Sequence, residues 1–340
     1  MSSPLEKLLN ERRVLLADGA TGTNYFQMGL EAGEPPEFWM TDHPDRIQDL
    51  HQRFVDAGAD IILTNTFGCN RHRLKLHKAQ DRTFELNKRA AELAREVAEK
   101  AGRTVIVAGS VGPTGELFEP LGALTEAEAI DTFAEQMEGL KAGGADVAWI
   151  ETMSAIEEVR AAANAAIRAG MPYTVTCSFD TAGRTMMGLM PGDLAGIFEG
   201  LEVQPIAMGA NCGVGASDIL VSLLAMTDAV PSVSYISKGN CGVPQFRGTE
   251  IHYSGTPELM GRYAELAFNA GARIVGGCCG TSPEHLAGMR VALDTCMAAA
   301  EAGSIGDRPS IDTIVADIGP LANQAPKANV EGGRTRRRDR

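Results

Sequence analysis

Residues 57–66 of this 340-residue chain read AGADIILTNT, a helix end closed by glycine and followed at once by a short apolar strand. The same junction recurs as GGAD at residues 143–146 and, in a weaker form, as AGAR at residues 270–273. A glycine that ends a helix immediately before a strand is typical of the αβ turn in a repeated β/α unit. The three copies therefore predict a chain built from such units.

Eight short runs of apolar or small residues alternate with helical segments along most of the chain. Parallel strands that are covered on both faces show continuous apolar runs of this kind. The runs are residues 14–18, 60–66, 105–109, 146–151, 173–177, 207–212, 232–236 and 273–277. Helices are predicted over residues 44–57, 126–142 (with Thr125 as N-cap) and 254–270. Eight strands that alternate with helices predict an α/β fold, the (β/α)8 TIM barrel.

A doubly wound open sheet is the competing fold, but it usually has fewer strands and often carries a G-x-G-x-x-G loop after the first. The text GATG at residues 19–22 lacks that spacing. We therefore predict one barrel domain over residues 1–302 and a C-terminal extension over residues 303–340. The extension ends in a basic tail (residues 334–340), which is predicted to be disordered, and residues 311–321 are compatible with a folded-back segment at a homo-oligomer contact.

The charge and composition of the chain limit the classes of partner that it is expected to bind. The formal net charge of -13 disfavours nucleic acid or an anionic membrane as the main partner, because both require a basic surface. No apolar run has the length of a membrane span, and the polar first residues lack a signal-peptide core. A cytoplasmic location is expected, where thiols stay reduced. The seven cysteines are an odd number and widely spaced, so they do not indicate a disulfide framework.

The active site of a TIM barrel lies at the C-terminal ends of its strands. Several polar side chains stand at such ends in the predicted strands. They are Asp18, Asn65, Thr66, Glu151, Cys212, Cys278 and Cys279. Three cysteines and two carboxylates are therefore expected to meet at one rim of the barrel.

The cysteines at the rim are flanked by glycine, in the texts NCG at residues 211–213 and GGCCG at residues 276–280. Glycine permits the unusual backbone that two adjacent thiols need to reach one ion. Three thiolates, from Cys212, Cys278 and Cys279, with one open position are a catalytic arrangement for Zn²⁺, whereas a structural site closes with four ligands. Buried packing, or a vicinal disulfide between Cys278 and Cys279, is the alternative interpretation.

A zinc ion with three thiolates is electron-rich, so it suits a substrate thiol that is deprotonated on binding and then attacks carbon. A zinc lyase or hydrolase is the rival enzyme class, and it normally supplies nitrogen and oxygen ligands. None of the six histidines ends a predicted strand, which argues against this rival. A non-catalytic zinc- or thiol-binding barrel is a further alternative.

Two carboxylates, Asp18 and Glu151, stand where strands open into loops, and such a pair can hold the ammonium of a substrate. The backbone N–H groups of Gly19, Ala20, Thr21 and Gly22 can hold its carboxylate. An α-amino acid thiol meets both demands. An Asx-type cap at Asp18 and a structural ion pair at Glu151 are equally compatible with the sequence.

At these residues the chain resembles the homocysteine S-methyltransferases, which include betaine–homocysteine methyltransferases and the homocysteine-binding module of cobalamin-dependent methionine synthase. The similar texts are DGATGT at residues 18–23, TNTF at 64–67, ET at 151–152, NC at 211–212 and GGCCGT at 276–281, the most specific of them. The resemblance implies a (β/α)8 barrel with zinc on the three cysteines. It also implies homocysteine held by Asp18 and Glu151, with Thr66 nearby, and methionine as the product.

The methyl donor is predicted from aromatic residues, because a quaternary ammonium group binds aromatic faces. Trp39 and Phe67 follow the first two strands and Tyr235 lies on the seventh, so all three are assigned to a site for betaine or a similar onium donor. Packing within the loops is the alternative. The family also contains cobalamin-dependent members, but the nearest match to a corrinoid motif, PEHLAG at residues 283–288, has proline where aspartate is needed. A split methionine synthase with a separate corrinoid protein therefore stays as the alternative.

Overall fold

The computed structural model describes residues 2–242, 244–247 and 250–322, with side chains outside residues 243–252. Eight parallel strands form a barrel in which each strand except one pairs with its neighbour along the chain. They are β1 (Leu15–Leu16), β2 (Ile61–Leu63), β3 (Ile106–Val111), β4 (Val147–Met153), β5 (Tyr173–Cys177), β6 (Ala207–Cys212), β7 (Tyr235–Gly239) and β10 (Ala272–Gly277). β10 pairs with β1, and a parallel bridge between Ala17 and Ile61 joins β1 to β2. The predicted (β/α)8 TIM barrel is confirmed.

The strands β8 (Pro244–Arg247) and β9 (Glu250–Tyr253) form an antiparallel hairpin after β7, which the sequence pattern did not predict. Helices surround the barrel. They are α1 (Pro4–Glu11), α2 (Thr21–Gln27), α3 (Trp39–Asp42), α4 (Pro44–Asp56), α5 (Arg71–Lys75), α6 (Thr83–Lys100), α7 (Glu126–Ala142), α8 (Ile156–Ala169), α9 (Ala216–Ala229), α10 (Pro257–Asn269), α11 (Pro283–Glu301) and α12 (Ile311–Asp317), with 3-10 helices at Pro36–Phe38, Gln80–Arg82 and Pro191–Phe198. In the described part of the chain, none of these helices has both the length and the apolar character that a bilayer span requires.

The repeated junctions of the sequence are repeated turns in the structure. Gly58, Gly144 and Gly271 have φ of +98°, +92° and +99°, the left-handed conformation that only glycine adopts without strain. Thr125 caps α7, as predicted, because its hydroxyl accepts a hydrogen bond from the Glu128 backbone N–H at 3.2 Å. These turns return each helix to the start of the next strand.

The barrel interior is a separate apolar cluster built from the inward faces of the strands. Trp149 is its largest member, and helix α1 extends the cluster by burying Leu5, Leu8 and Leu9 against it. Helix α1 therefore closes the end of the barrel at which the strands begin. The opposite end, at which the strands finish, stays open to the loops.

Helix α12 lies against α9 and α10 of its own chain. Ile314 is fully buried there, and Arg262 on α10 forms an ion pair with Asp317 at 2.6 Å. Residues 311–321 therefore fold back, although onto their own barrel. The predicted basic tail lies outside the described residues.

Strand β7 is displaced from the predicted run at residues 232–236. It begins at Tyr235 and ends at Gly239. The shift places Lys238 inside the barrel, one residue before the end of the strand. A charged residue ends an apolar run in a sequence pattern, which is why the prediction stopped too early.

Candidate active site

Three sulfur atoms meet at the open end of the barrel. Cys212 ends β6, while Cys278 and Cys279 form the turn after β10, and their Sγ atoms all lie within 4.8 Å of one another. The Sγ atoms of Cys212 and Cys279 are 3.9 Å apart. All three are free thiols, so the alternative of a vicinal disulfide is not realised. The structure thus brings the predicted metal ligands together.

The backbone at these cysteines is unusual. Cys212 has φ of +62°, a conformation that costs energy for any residue with a Cβ, and Gly213 follows with φ of +69°. In the other segment, a Cβ at Gly277 would lie 2.2 Å from Thr281, and Gly280 has φ of +80°. The glycines that flank the cysteines are therefore required by the turns that carry the thiols.

Two buried asparagines hold the cysteine segments in place. Asn240 accepts a hydrogen bond from the Cys279 backbone N–H at 3.0 Å and donates one to the Gly213 carbonyl at 2.9 Å. Asn211 accepts from the Thr152 backbone N–H at 2.9 Å, and its amide nitrogen lies 3.8 Å from the Cys278 sulfur. Sequence analysis did not assign a role to either asparagine. The texts NCG at residues 211–213 and NCG at residues 240–242 were the available signal.

The sulfurs fit a zinc ion in both number and spacing. Zn–S bonds of about 2.3 Å at tetrahedral angles place two sulfurs roughly 3.8 Å apart, close to the distance between Cys212 and Cys279. Hydrogen bonding to Cys278, together with burial, raises the pKa of the Cys212 thiol to about 12, and contact with Cys212 and burial raise that of Cys279 to about 11. Crowded, buried thiolates need a neighbouring cation, so the group is suited to a soft divalent metal.

A layer of buried charge lies beside the cysteines. Asp18 is 1% exposed, and its two oxygens accept hydrogen bonds from Lys238 Nζ at 2.9 Å and from the Leu63 backbone N–H at 2.7 Å. Burial raises the pKa of Asp18, although Lys238 opposes the shift. Lys238, like the two asparagines, was not assigned to the site by sequence analysis.

Glu151 belongs to the same layer of buried charge and is slightly more exposed than Asp18. Its Oε1 accepts a hydrogen bond from the Ser110 hydroxyl at 2.5 Å, and burial raises its pKa. The Ser110 carbonyl accepts a hydrogen bond from the Thr66 hydroxyl at 2.6 Å. Thr66 is fully buried, so it reaches Glu151 through Ser110.

The turn at residues 19–22 is partly committed to the protein itself. The Ala20 N–H donates to the Thr281 carbonyl at 3.0 Å, and a Cβ at Gly19 would lie 2.5 Å from the same oxygen. Thr21 and Gly22 are in the first turn of α2, where backbone N–H groups have no acceptor within the helix. The N–H groups of Thr21 and Gly22 are thus the part of this turn that suits a substrate carboxylate.

Two of the three predicted donor-site aromatics are not brought to the rim. Trp39 is fully buried, and the Arg46 guanidinium lies 4.9 Å from its ring centroid. Tyr235 stands at the first residue of β7, where its hydroxyl donates to the Met226 and Val230 carbonyls at the end of α9. The assignment of both residues to the donor site is therefore corrected. Trp39 has no exposed surface, and Tyr235 lies at the start of its strand, far from the rim. Phe67, which follows β2, is 41% exposed at the rim.

The family of this chain follows from comparison with known proteins. The sequence model of the family Homocysteine S-methyltransferase matches residues 15–293, from β1 into α11. The chain belongs to the homocysteine S-methyltransferase family. All three clustered cysteines and both buried carboxylates lie within the matched range.

Relatives of this family member include much longer proteins. Methionine synthase of Mycobacterium leprae (strain TN) is 31% identical over 351 residues, which cover 95% of this chain and 28% of the relative. Methionine synthase of Mycobacterium tuberculosis (strain ATCC 25618 / H37Rv) is 32% identical over 295 residues, or 81% of this chain and 24% of the relative. The chain therefore spans about a quarter of the length of these relatives.

A solved structure has the same fold. The homocysteine methyltransferase MmuM from Escherichia coli, in its oxidised form, superposes with a TM-score of 0.73 at 22% identity, covering 85% of this chain and 99% of that chain. Its metallated form superposes with a TM-score of 0.72. At this identity the likeness shows the barrel fold alone.

Proposed function

We propose that this family member transfers a methyl group to the thiol of homocysteine, giving methionine, with Zn²⁺ held by Cys212, Cys278 and Cys279. The observation that carries the proposal is the meeting of three sulfurs from two distant segments, which leaves a tetrahedral ion one position for a fourth sulfur. Zinc, when bound, supplies the positive charge that converts the substrate thiol into a thiolate. The reduced thiols that this site needs agree with the cytoplasmic location predicted from the sequence.

The residues around the cysteines would orient the amino acid. The carboxylate layer of Asp18 and Glu151 faces the α-ammonium, and the N–H groups of Thr21 and Gly22 face the α-carboxylate. Thr66 fixes Glu151 through Ser110. The substrate sulfur then attacks the donor methyl carbon in line, and the bond from that carbon to the donor breaks as the new C–S bond forms. Positioning of this kind supplies much of the rate.

We propose betaine or a similar onium compound as the methyl donor. Phe67 supports this, because an exposed aromatic face at the rim attracts a quaternary ammonium group. The second candidate is a homocysteine-activating unit that receives the methyl group from a separate corrinoid protein. The similarity to methionine synthases, of which this chain spans a quarter, favours this second candidate.

One assay separates these functions. The purified zinc-loaded protein is mixed with homocysteine and, in separate reactions, betaine, a dimethylsulfonium compound, S-methylmethionine or methylcobalamin, and methionine is measured. Methionine with an onium donor alone, abolished by a chelator and restored by zinc, is the expected result. Activity with methylcobalamin only would favour the corrinoid-dependent unit, while bound zinc without any methyl transfer would favour a non-catalytic thiol-binding barrel.

A further inference from the structure

Asn211, which precedes Cys212 on β6, directs an amide N–H at a different cysteine. Its Nδ2 donates hydrogen bonds to the Thr152 hydroxyl at 2.7 Å and to the Cys278 sulfur at 3.8 Å. An amide nitrogen has two hydrogens, so both are used by these two acceptors. Asn211 is 1% exposed, and water therefore does not compete for them.

The orientation of this amide is fixed by its oxygen. Asn211 Oδ1 accepts hydrogen bonds from the Thr152 backbone N–H at 2.9 Å and from the Thr176 hydroxyl at 2.7 Å. If the amide turned over, its nitrogen, which is a donor only, would meet the Thr152 N–H. The atom of Asn211 that faces the Cys278 sulfur is therefore a hydrogen-bond donor.

Tyr253 at the end of β9 faces the neighbouring sulfur. Its ring lies on the turn after the cysteines, where a Cβ at Gly280 would be 2.3 Å from Tyr253 Cγ. Contact with Cys212 and burial raise the pKa of the Cys279 thiol, and a hydrogen bond with the Tyr253 hydroxyl opposes this shift. Burial and the Cys279 sulfur raise the pKa of Tyr253, so the hydroxyl keeps its proton and is the donor.

The third sulfur has a polar partner as well. Contact with Cys278 and burial raise the pKa of the Cys212 thiol, and a hydrogen bond with Asn240 is among the effects that oppose the shift. Asn240 also holds the Gly213 carbonyl and the Cys279 N–H. Each of the three protein sulfurs thus has one amide or hydroxyl partner.

A hydrogen bond to a thiolate opposes methylation of that sulfur. Methyl transfer forms a C–S bond, breaks the bond from the methyl carbon to its leaving group, and converts the charged sulfur into a neutral thioether. A hydrogen bond is stronger when its acceptor is charged, so it weakens as the sulfur reacts. An interaction that is stronger in the ground state than in the transition state slows the reaction.

We propose that Asn211 and Tyr253 are positioning residues whose hydrogen bonds keep the methyl group off Cys278 and Cys279 and leave the substrate sulfur as the methyl acceptor. The inference rests on the proposed function, in which the methyl carbon approaches a centre with several sulfurs. The hydrogens of both donors are already used within the protein. A substrate sulfur at the fourth position receives none of them and stays the more nucleophilic.

The test methylates the zinc-loaded protein directly, without homocysteine or a biological donor. The protein is treated with methyl iodide, and tandem mass spectrometry of its peptides gives the methylation rate of each cysteine. Asn211→Leu removes one donor, and the nearly isosteric Tyr253→Phe removes the other. We expect Asn211→Leu to raise the rate at Cys278, and Tyr253→Phe the rate at Cys279, about 10-fold each, with the adjacent cysteine close to its wild-type rate.

Thr176→Val is the matched control, because it removes a hydrogen bond from the same amide and leaves the N–H on the sulfur. It should leave both rates close to those of the wild type. The free thiol of Cys296 on α11 is the internal reference for the reagent. Zinc content and thermal unfolding are measured for every variant, and Tyr253→Phe decides the matter if Asn211→Leu does not fold or does not hold zinc.

Unchanged rates at Cys278 and Cys279 would overturn the inference. An equal rise at both cysteines in each variant would overturn it too, because that result indicates a loosened site rather than a lost donor. A wild-type protein that holds zinc but forms no methionine with any methyl donor would instead refute the proposed function. The two failures are distinguishable, since the methylation rates require no turnover.

Discussion

The two ends of the barrel carry buried charge in opposite ways. At the closed end, Asp60 is 1% exposed and surrounded by the guanidinium groups of Arg12 at 2.6 Å, Arg290 at 3.2 Å and Arg103 at 3.6 Å. Its Oδ2 also accepts a hydrogen bond from the Leu16 N–H. One buried acid is thus balanced by three cations.

At the open end the balance is reversed. The buried ammonium of Lys238 faces the carboxylates of Asp18 and Glu151 and the Cys278 thiol, which together raise its pKa against the effect of burial. Two residues with a Cβ there, Thr152 and Cys212, have φ of +62°. The closed end is built to hold the barrel together, whereas the open end keeps unbalanced charge and strained backbone ready for a cation and a substrate. This agrees with the general division of TIM barrels into a stability face and a catalytic face.

The largest expected effect is at the open end. Cys279→Ser should lose zinc and reduce methyl transfer by more than about 100-fold, since changes to residues behind metal ligands already cost about 10–100-fold. Zinc content and methionine formation are the measurements. Cys296→Ser on α11 is the matched control and should retain both. A full complement of zinc in Cys279→Ser would contradict the three-sulfur site.

The closed end should respond in stability rather than in activity. Asp60→Asn removes the buried acid that the guanidinium groups of Arg12, Arg103 and Arg290 share, and only Arg290 keeps another acidic partner, Asp294, among the described residues, so we expect a loss of about 3 kcal/mol in the free energy of unfolding. Urea denaturation measures this loss, and kcat/KM of the folded fraction should stay unchanged. As a control, Asp131→Asn breaks an exposed pair with Arg168 and should cost less than about 0.5 kcal/mol. If Asp60→Asn lowered kcat/KM in the folded fraction, the division between the two ends would not hold.

A smaller effect is expected at His51, which lies in the helical wall of the barrel and at neither end. It should make the free energy of unfolding sensitive to acid, independently of the charges at the two ends. Burial lowers the pKa of His51 on α4 to about 4, so the folded state keeps it neutral while the unfolded state, with a pKa near 6.5, binds a proton. Stability is therefore full above pH 6.5 and falls as the pH drops towards 4, by up to about 1.4 kcal/mol per pH unit from this group. Chemical denaturation at pH 7 and pH 5 measures it. His51→Leu should show a shallower fall, and an unchanged slope would refute this source.

The smallest expected effect separates the donor side of the open end from the homocysteine side. Phe67→Ala should raise KM for an onium donor about 3-fold to 5-fold, as expected for the loss of one exposed cation–π contact, and should leave KM for homocysteine unchanged. Steady-state kinetics with each substrate varied in turn provide the measurement. Phe84→Ala on the outer wall, where Phe84 is 44% exposed, is the matched control. A rise in KM for homocysteine alone would place Phe67 on the wrong side of the site.

The barrel and the cysteine group could be predicted from the sequence, because each is indicated by short motifs of neighbouring residues. The glycine junctions recur at fixed places before strands, and the rule that strand ends converge brings Cys212 and Cys278 together without any distance information. The same rule selected Glu151 and Asp18.

Lys238 and the hydrogen bonds of Asn240 could not be predicted, because they depend on partners that are distant along the chain. In a sequence pattern, a lysine after an apolar run predicts the end of the strand unless its counter-charge is known. The counter-charge of Lys238 is Asp18, which lies 220 positions away along the chain. The assignment of Tyr235 to the donor site was wrong for a related reason. An error of a few residues in the limits of β7 moves a side chain from one end of the barrel to the other.

The left-handed backbone at Cys212 has a consequence for how this protein would change under artificial selection. Glycine at that position would relieve the conformational penalty, by about 1 kcal/mol or more, while deleting one of the three sulfurs that we propose hold the metal. Rounds of directed evolution that reward heat resistance alone should therefore accumulate Cys212→Gly early. A population selected for growth that depends on methionine formation should never accept it.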